Sequence, residues 1–435
     1  MSTPRRHTSG QRSETAHRAN LSTIVRELHA HGPLSRSELV GRTGLTRSGI
    51  RSLVGELVGA GFVAEERAEP IGLPGRPSPV VRLNAGRAVV LALEIAVDSL
   101  AAAVVGFGGS VLGRVRVDRP RRHLSVDEIA ADLAELAREL PGRPVGEADL
   151  VGIGVAVVGV VRRSDGLVSM APNLGWRDVP LGERLARTLR TSLPVSVANE
   201  ADLGALAEHR RGAAIGDEHV VFISGEIGVG GGIIVDGRPL TGVAGYGGEV
   251  GHMPVNPAGV TCRCGSVGCW ETEVGAAALL SRAGHPADGG REEVELVLRE
   301  AERGASAPLA ALDSVGRWLG YGLAGLVNLL NPQVVVLGGV FGRIHPFVAR
   351  NVEAQLDRLV LPAPRRLVRV VPARLGVDAP LLGAAELAFE PLLADPAPWM
   401  ESGARAVGQR GNQQPDDRPD GVASGPRAAQ GRVLA

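Results

Sequence analysis

Hydrophobic positions change their period along this chain, and each change marks a different kind of structure. Over 20–31, Leu21, Ile24, Val25 and Leu28 recur at helical spacing, and Gly32-Pro33 closes the run. A second helix is predicted over 35–43, with Ser35 as N-cap and Glu38 three residues on, the pattern of a capping box. Gly44 permits a sharp turn. Thr46 then caps a third helix over 47–60, whose Ile50, Leu53, Val54 and Leu57 face inward and leave Arg47, Ser48, Arg51 and Ser52 outward near its start. Strands follow over 61–66 and 79–83, joined by a loop that holds Gly75-Arg76-Pro77. Helix, tight turn, helix and hairpin is the layout of a winged helix-turn-helix. There, residues such as Thr46, Arg47, Ser48, Arg51 and Ser52 reach base edges in the major groove, and a loop cation such as Arg76 enters the minor groove.

From Arg87 onward short apolar strands alternate with helices. Strands are predicted over 88–97, 101–107 and 150–161 with a helix over 126–140. A second set covers 219–224, 230–235 and 334–338, with helices near 309–330 and 379–389. Such alternation predicts an α/β body of two lobes. The expected division is a flexible arm over 1–18, a winged helix-turn-helix DNA-binding domain over 19–84, a two-lobed ligand-binding body over 85–395 and a tail over 396–435. That tail is rich in Gly, Gln, Pro, Asp and Arg and cannot bury enough surface to offset its chain entropy, so it is expected to be disordered.

Charge sharpens this division. The chain of 435 residues carries 47 basic and 47 acidic side chains, which gives no overall attraction to nucleic acid. Up to Arg82, however, twelve arginines stand against seven acidic residues, a basic end on a neutral chain. There is no lysine anywhere, which excludes a Schiff-base lysine and a Walker-type phosphate lysine. No apolar run approaches ~20 residues and the amino terminus lacks the apolar core of a signal peptide, so a cytoplasmic protein without a membrane partner is expected.

The chemistry concentrates in one short run, GGEVGHMPVNPAGVTCRCGSVGCWETE. All three cysteines, Cys262, Cys264 and Cys269, lie within it, together with His252. Three thiolates and an imidazole complete a tetrahedral zinc site with no position left for a reactive water, so the metal is read as structural. Gly265 and Gly268 supply the backbone freedom a tight knuckle needs. A disulfide would leave one thiol over and require an oxidising compartment.

The knuckle resembles the signature of the ROK family (repressors, open reading frames and sugar kinases). The GExGH element stands at Gly248-Glu249-Val250-Gly251-His252, and CxCGxxGCxE runs from Cys262 to Glu271. The resemblance implies an actin-like, ribonuclease H-like body with sugar bound between its lobes. A winged helix ahead of that body is the arrangement of ROK repressors of the xylose-repressor-like kind. Carried over residue by residue, Asn199, Glu200, Glu249, His252 and Glu271 match positions that hydrogen-bond sugar hydroxyls, and Asn173 adds another.

The nucleotide motifs depart from the family pattern. Where a ROK kinase has a DxGGTK phosphate loop, this chain has Glu94, Ala96, Val97, Asp98 and Ser99. The two glycines are gone and a carboxylate is added where phosphate would lie. NDAN becomes Asn199-Glu200-Ala201-Asp202, which puts Glu200 at the position of the kinase base, and Glu226 replaces the usual threonine of the second phosphate loop. The resemblance therefore implies a sugar-responsive repressor of carbohydrate-metabolism genes with no catalytic residue. Its implied partners are a two-fold symmetric operator and a sugar effector, and its implied assembly a homodimer or homotetramer. The alternative is an ATP-dependent ROK sugar kinase with an appended DNA-binding domain.

Overall fold

The computed structural model describes residues 9–66, 78–119, 125–140 and 150–400. Arg76 and the tail beyond Met400 lie outside the described residues.

The head comprises α1 (Ser9–His31), β1 (Leu34–Ser35), α2 (Arg36–Thr43), α3 (Arg47–Gly59), β2 (Val63–Glu66) and β3 (Val80–Leu83). Its local signals act as the sequence predicts. The Ser35 hydroxyl accepts from Glu38 N–H at 3.2 Å while the Glu38 carboxylate accepts from Ser35 N–H at 2.7 Å. Gly44 takes a left-handed φ of 69° between α2 and α3, and Thr46 Oγ1 accepts from Gly49 N–H at 3.1 Å. The two-residue β1, too short to show a period, joins the hairpin as a sheet of order β1-β3-β2.

At both ends, described structure extends past the expected boundaries. α1 begins at Ser9, inside the stretch predicted to be a flexible arm. Polar contacts rather than an apolar stripe tie these turns down: Arg18 Nε donates to Asp395 at 3.0 Å, and His17 Nε2 lies 3.0 Å from a Glu56 oxygen. At the other end, residues 396–400 of the expected disordered tail are folded. Met400 is buried in the same apolar cluster as Phe62, and the Trp399 carbonyl accepts from Arg87 at 3.2 Å.

The body begins with β4 (Val89–Ile95), β5 (Ser99–Gly106), β6 (Ser110–Asp118), α4 (Val126–Glu139) and β7 (Leu150–Val157). A small sheet of β8 (Val160–Arg162), β9 (Leu167–Ala171) and β10 (Trp176–Pro180) precedes α5 (Leu181–Leu189), β11 (Val195–Asn199) and α6 (Glu200–Arg211). The second lobe holds β12 (Val220–Gly225), β13 (Val229–Val235), β14 (Arg238–Pro239), α7 (Trp270–Val274), α8 (Ala276–Ala283), α9 (Arg291–Glu302) and α10 (Ser306–Leu330). It continues through β15 (Val334–Gly338), α11 (Gly339–Leu359), α12 (Pro362–Arg365) and β16 (Arg369–Pro372), and α13 (Ala379–Ala394) returns to the first lobe.

The main sheets run β11-β7-β4-β5-β6 and β14-β13-β12-β15-β16. In each, the first three strands of the lobe form an antiparallel meander and the last two add in parallel, so the lobes share one topology. This is the ribonuclease H-like pairing expected of the body.

Two helices lie where the lobes meet. α13 packs on the first sheet so closely that a Cβ at Gly154 would run into the Ala384 carbonyl. α6 packs on the second, where a Cβ at Gly232 would sit 2.6 Å from the Ala201 carbonyl. The two helices also touch backbone to backbone, since a Cβ at Gly383 would collide with the Leu203 carbonyl. The head is not a separate bead. Leu21, Ile24 and Leu28 of α1 share one apolar cluster with Phe107, Phe389 and Leu392 of the body. Among the described residues no helix is long and apolar enough to cross a membrane.

Candidate functional site

The first hairpin of each lobe turns into a common cleft of about 1070 Å³, whose walls include all six positions predicted to face sugar. Each is held by a different local device. Asn199 is the N-cap of α6. Its Oδ1 accepts from Ala201 N–H at 2.7 Å and Asp202 N–H at 3.3 Å, and its Nδ2 donates to the Gly159 carbonyl at 2.8 Å. Only one amide hydrogen is left for a ligand. Glu271, in the first turn of α7, accepts from Val229 N–H at 3.0 Å and so braces the hairpin β12–β13. Glu249 is exposed, and its carboxylate has no hydrogen-bond partner among the described residues. Asn173 Oδ1 accepts from Arg263 Nη1 at 2.7 Å, a bond that crosses from the first lobe to the metal knuckle. Arg263 was not singled out by the sequence because it fills an unspecified position of the CxC element.

The metal centre is assembled as the spacing predicts. His252 follows the GExGH turn, and the ligand atoms of His252, Cys262, Cys264 and Cys269 all lie within 4.8 Å of one another. The Sγ atoms of Cys264 and Cys269 are 3.6 Å apart, and Cys262 Sγ is 3.8 Å from His252 Nδ1. Ligands of a tetrahedral thiolate site with bonds of ~2.3 Å lie roughly 3.8 Å apart, so the set fits one metal ion. Gly268 holds the knuckle closed with φ 69°, at a point where a Cβ would strike the Asn256 carbonyl. His252 Nδ1 faces the thiols, so a metal held there would fix the ring plane and leave Nε2 for the cleft.

Glu94, Asp98, Glu200 and Glu226 line the same cleft. Burial pushes Glu200 up to about 8, and neighbouring Glu226, Glu94 and Asp98 add to the rise. Burial also takes Asp202 to about 7, with Glu249 raising it and Arg163 opposing. Glu94 is raised by burial against the pull of Arg116, whose Nη2 donates to it at 2.8 Å, and Glu226 is raised by burial although Arg291 stands 3.7 Å away. Glu200 thus keeps its proton at neutral pH. In that form it can both donate to and accept from a hydroxyl, and it is a poorer proton acceptor than an ionised carboxylate.

The sign of this shift gives a stability prediction. With a folded value near 8 against the ordinary 4.5, Glu200 contributes stability that is full below about pH 4.5 and is lost as pH rises through about 8. Glu200→Gln removes that loss. Thermal denaturation at pH 9 is expected to show the variant gaining several degrees over wild type, with little difference at pH 5. An equal difference at both values would mean that Glu200 is not desolvated.

On the head, Thr46, Arg47, Ser48, Arg51 and Ser52 are all exposed. Arg36, Arg42 and Arg82 pair with Glu65, Glu27 and Glu66, whereas Arg47 and Arg51 have no ion-pair partner among the described residues.

The ROK family profile matches residues 90–390, which takes in the cleft, the knuckle and both lobes. The chain belongs to the ROK family. It is 28% identical over 384 residues to the xylose repressor of Bacillus subtilis, covering 86% of this chain and 96% of that one. A glucokinase of Streptomyces coelicolor is 31% identical over 320 residues, but these cover 70% of this chain and 98% of the kinase. Among solved structures, a ROK family transcriptional regulator homologous to the E. coli MLC protein superposes with a TM-score of 0.70 at 26% identity, covering 91% of this chain and 99% of that one. A ROK family glucokinase from Streptomyces griseus, in complex with glucose and AMPPNP, reaches 0.59 at 30% identity and covers 69% and 99%. The relatives here that extend over the head as well as the body are regulators, not enzymes.

Proposed function

We propose that this ROK protein is a sugar-responsive transcriptional repressor. Its head, residues 19–84, is a winged helix-turn-helix that binds operator DNA, and residues 85–395 form the sensor. The observation that carries this reading is the gathering of the sugar-facing set in one cleft whose two opposed hairpins have lost the kinase phosphate-loop pattern and carry Asp98 and Glu226 instead. Carboxyl groups recognise hydroxyls well, and a turn that lacks the glycines which let backbone amides approach phosphate, and carries Asp98 instead, disfavours a nucleotide, so the cleft suits a sugar and opposes ATP. The metal is zinc, matched to three thiolates and an imidazole, and it is structural because the four ligands close the tetrahedron. The partners are a two-fold symmetric operator and a sugar or sugar derivative. A homodimer or homotetramer follows from the need for two recognition helices to read enough base pairs.

The test is a titration of a DNA duplex selected from a random-sequence pool, with and without D-xylose or D-glucose. Arg47→Ala and Arg51→Ala are each expected to weaken the selected duplex by ~1–3 kcal/mol and to relax base preference at one position. Uniform weakening on all sequences would reassign them to phosphate contacts. Turnover of ATP with either sugar would instead favour a kinase carrying a DNA-binding domain.

A further inference from the structure

α6 connects two places that the sequence keeps far apart. Its first turn carries the Asn199 cap and Glu200 in the cleft, and its last turn carries Arg210 and Arg211 about 18 Å away at the joint with the head. There Arg210 Nη1 donates to Glu386 Oε2 at 3.0 Å and Arg211 Nε to Glu386 Oε1 at 2.7 Å. The same Glu386, on α13, accepts from His29 Nε2 of α1 at 3.0 Å. Because Gly108 N–H donates to His29 Nδ1 at 3.2 Å, the proton of the neutral ring must sit on Nε2. Glu390, one turn further along α13, is divided in the same way between Arg210 and Arg26 of α1, the latter at 3.1 Å.

Two carboxylates of α13 are therefore shared between a helix of the sensor and a helix of the head. His29 and Glu386 are both almost wholly buried, at 2% exposure each, so neither can exchange its partner for solvent. The network is also incompletely satisfied, for Arg211 Nη2 is buried with no hydrogen-bond partner among the described residues. α6 rides on the second lobe and α13 on the first. A change in lobe angle that shifts α6 against α13 moves Arg210 and Arg211 relative to Glu386.

We propose that Glu386, shared between Arg210 and Arg211 of α6 and His29 of α1, is the positioning residue through which the state of the cleft reaches the DNA-binding head. It touches neither sugar nor DNA. It sets how the head is held for each arrangement of the lobes, and the proposal rests on the sugar-responsive repressor reading above.

Two variants of the full chain test it from opposite sides. His29→Phe keeps the ring packing against Phe107 and Phe389 but removes the donor to Glu386, and Arg211→Gln removes one grip of α6 without touching the head. The readout is the ratio of affinities for the selected duplex without and with saturating D-xylose or D-glucose, together with sugar affinity itself. Wild type is expected to show a ratio of at least ~5, and both variants a ratio near 1 with sugar affinity within about threefold of wild type. Reciprocity requires the duplex to lose its effect on sugar affinity by the same factor. A merely structural role would weaken binding of both ligands and leave the ratio intact, which overturns the proposal. So does a normal ratio in Arg211→Gln, because α6 is then not the route. If wild type responds to neither sugar, the repressor reading fails and this proposal falls with it.

Discussion

Replacing Glu249 by Ala is expected to yield a protein that binds operator as tightly as wild type and no longer responds to sugar at the concentration that acts on wild type. The side chain is exposed in the cleft, accepts no hydrogen bond from the fold and ligates no metal, so its removal costs the native state little. Although the residue as a whole is exposed, its carboxyl faces the cleft walls and is raised above its ordinary value by desolvation there, with His252 opposing and Glu271 adding; all three line the same cleft. Loss of an acceptor that a bound hydroxyl needs leaves that hydroxyl unpaired, a penalty of ~1–3 kcal/mol and a ~10–100-fold fall in sugar affinity. DNA binding can shift only by the difference in sugar affinity between lobe arrangements, so a ligand that is not bound shifts nothing. Titrations of operator with and without sugar would decide it. A response at the wild-type sugar concentration would remove Glu249 from the ligand site.

The second large effect is expected at the metal. Cys264→Ser substitutes a harder, poorer ligand for a thiolate, and Cys264 is one of four groups that must close around the ion. Metal affinity should fall by more than the ~100-fold that loss of an outer partner of a ligand costs. The consequences reach the sugar site because the knuckle is knitted to it. The same segment carries His252 and Glu271, and it is held by Val255 N–H to the Gly268 carbonyl at 2.9 Å and Trp270 N–H to the Met253 carbonyl at 2.8 Å. Elemental analysis, melting temperature and sugar response should therefore fall together. Wild-type protein prepared without chelator and holding no metal would refute the assignment.

What could be read from the sequence was what short range determines. The capping box at Ser35, the turn at Gly44, the cap at Thr46 and the metal knuckle all depend on residues within a few positions of each other. α6 escaped notice for the opposite reason. Its Ala201, Leu203, Gly204, Ala205, Leu206 and Ala207 are buried on nearly every face, so no polar side marks a helical period. The amino-terminal turns of α1 were missed because polar bonds to Glu56 and Asp395 hold them, and a partner hundreds of residues away leaves no local trace. The same holds for His29 and Glu386, separated by 357 positions. Arg116 was invisible as the counter-ion of Glu94 until β6 was laid beside β5.

The shared strand order of the two lobes bears on how this chain can change over time. Its opposed hairpins each carry an acid into the phosphate seat, Asp98 from the first lobe and Glu226 from the second. Repairing one turn leaves the other carboxylate in place. Opening the cleft to a nucleotide's phosphates would therefore need matched replacements in both halves of the body, because each lobe contributes its own hairpin.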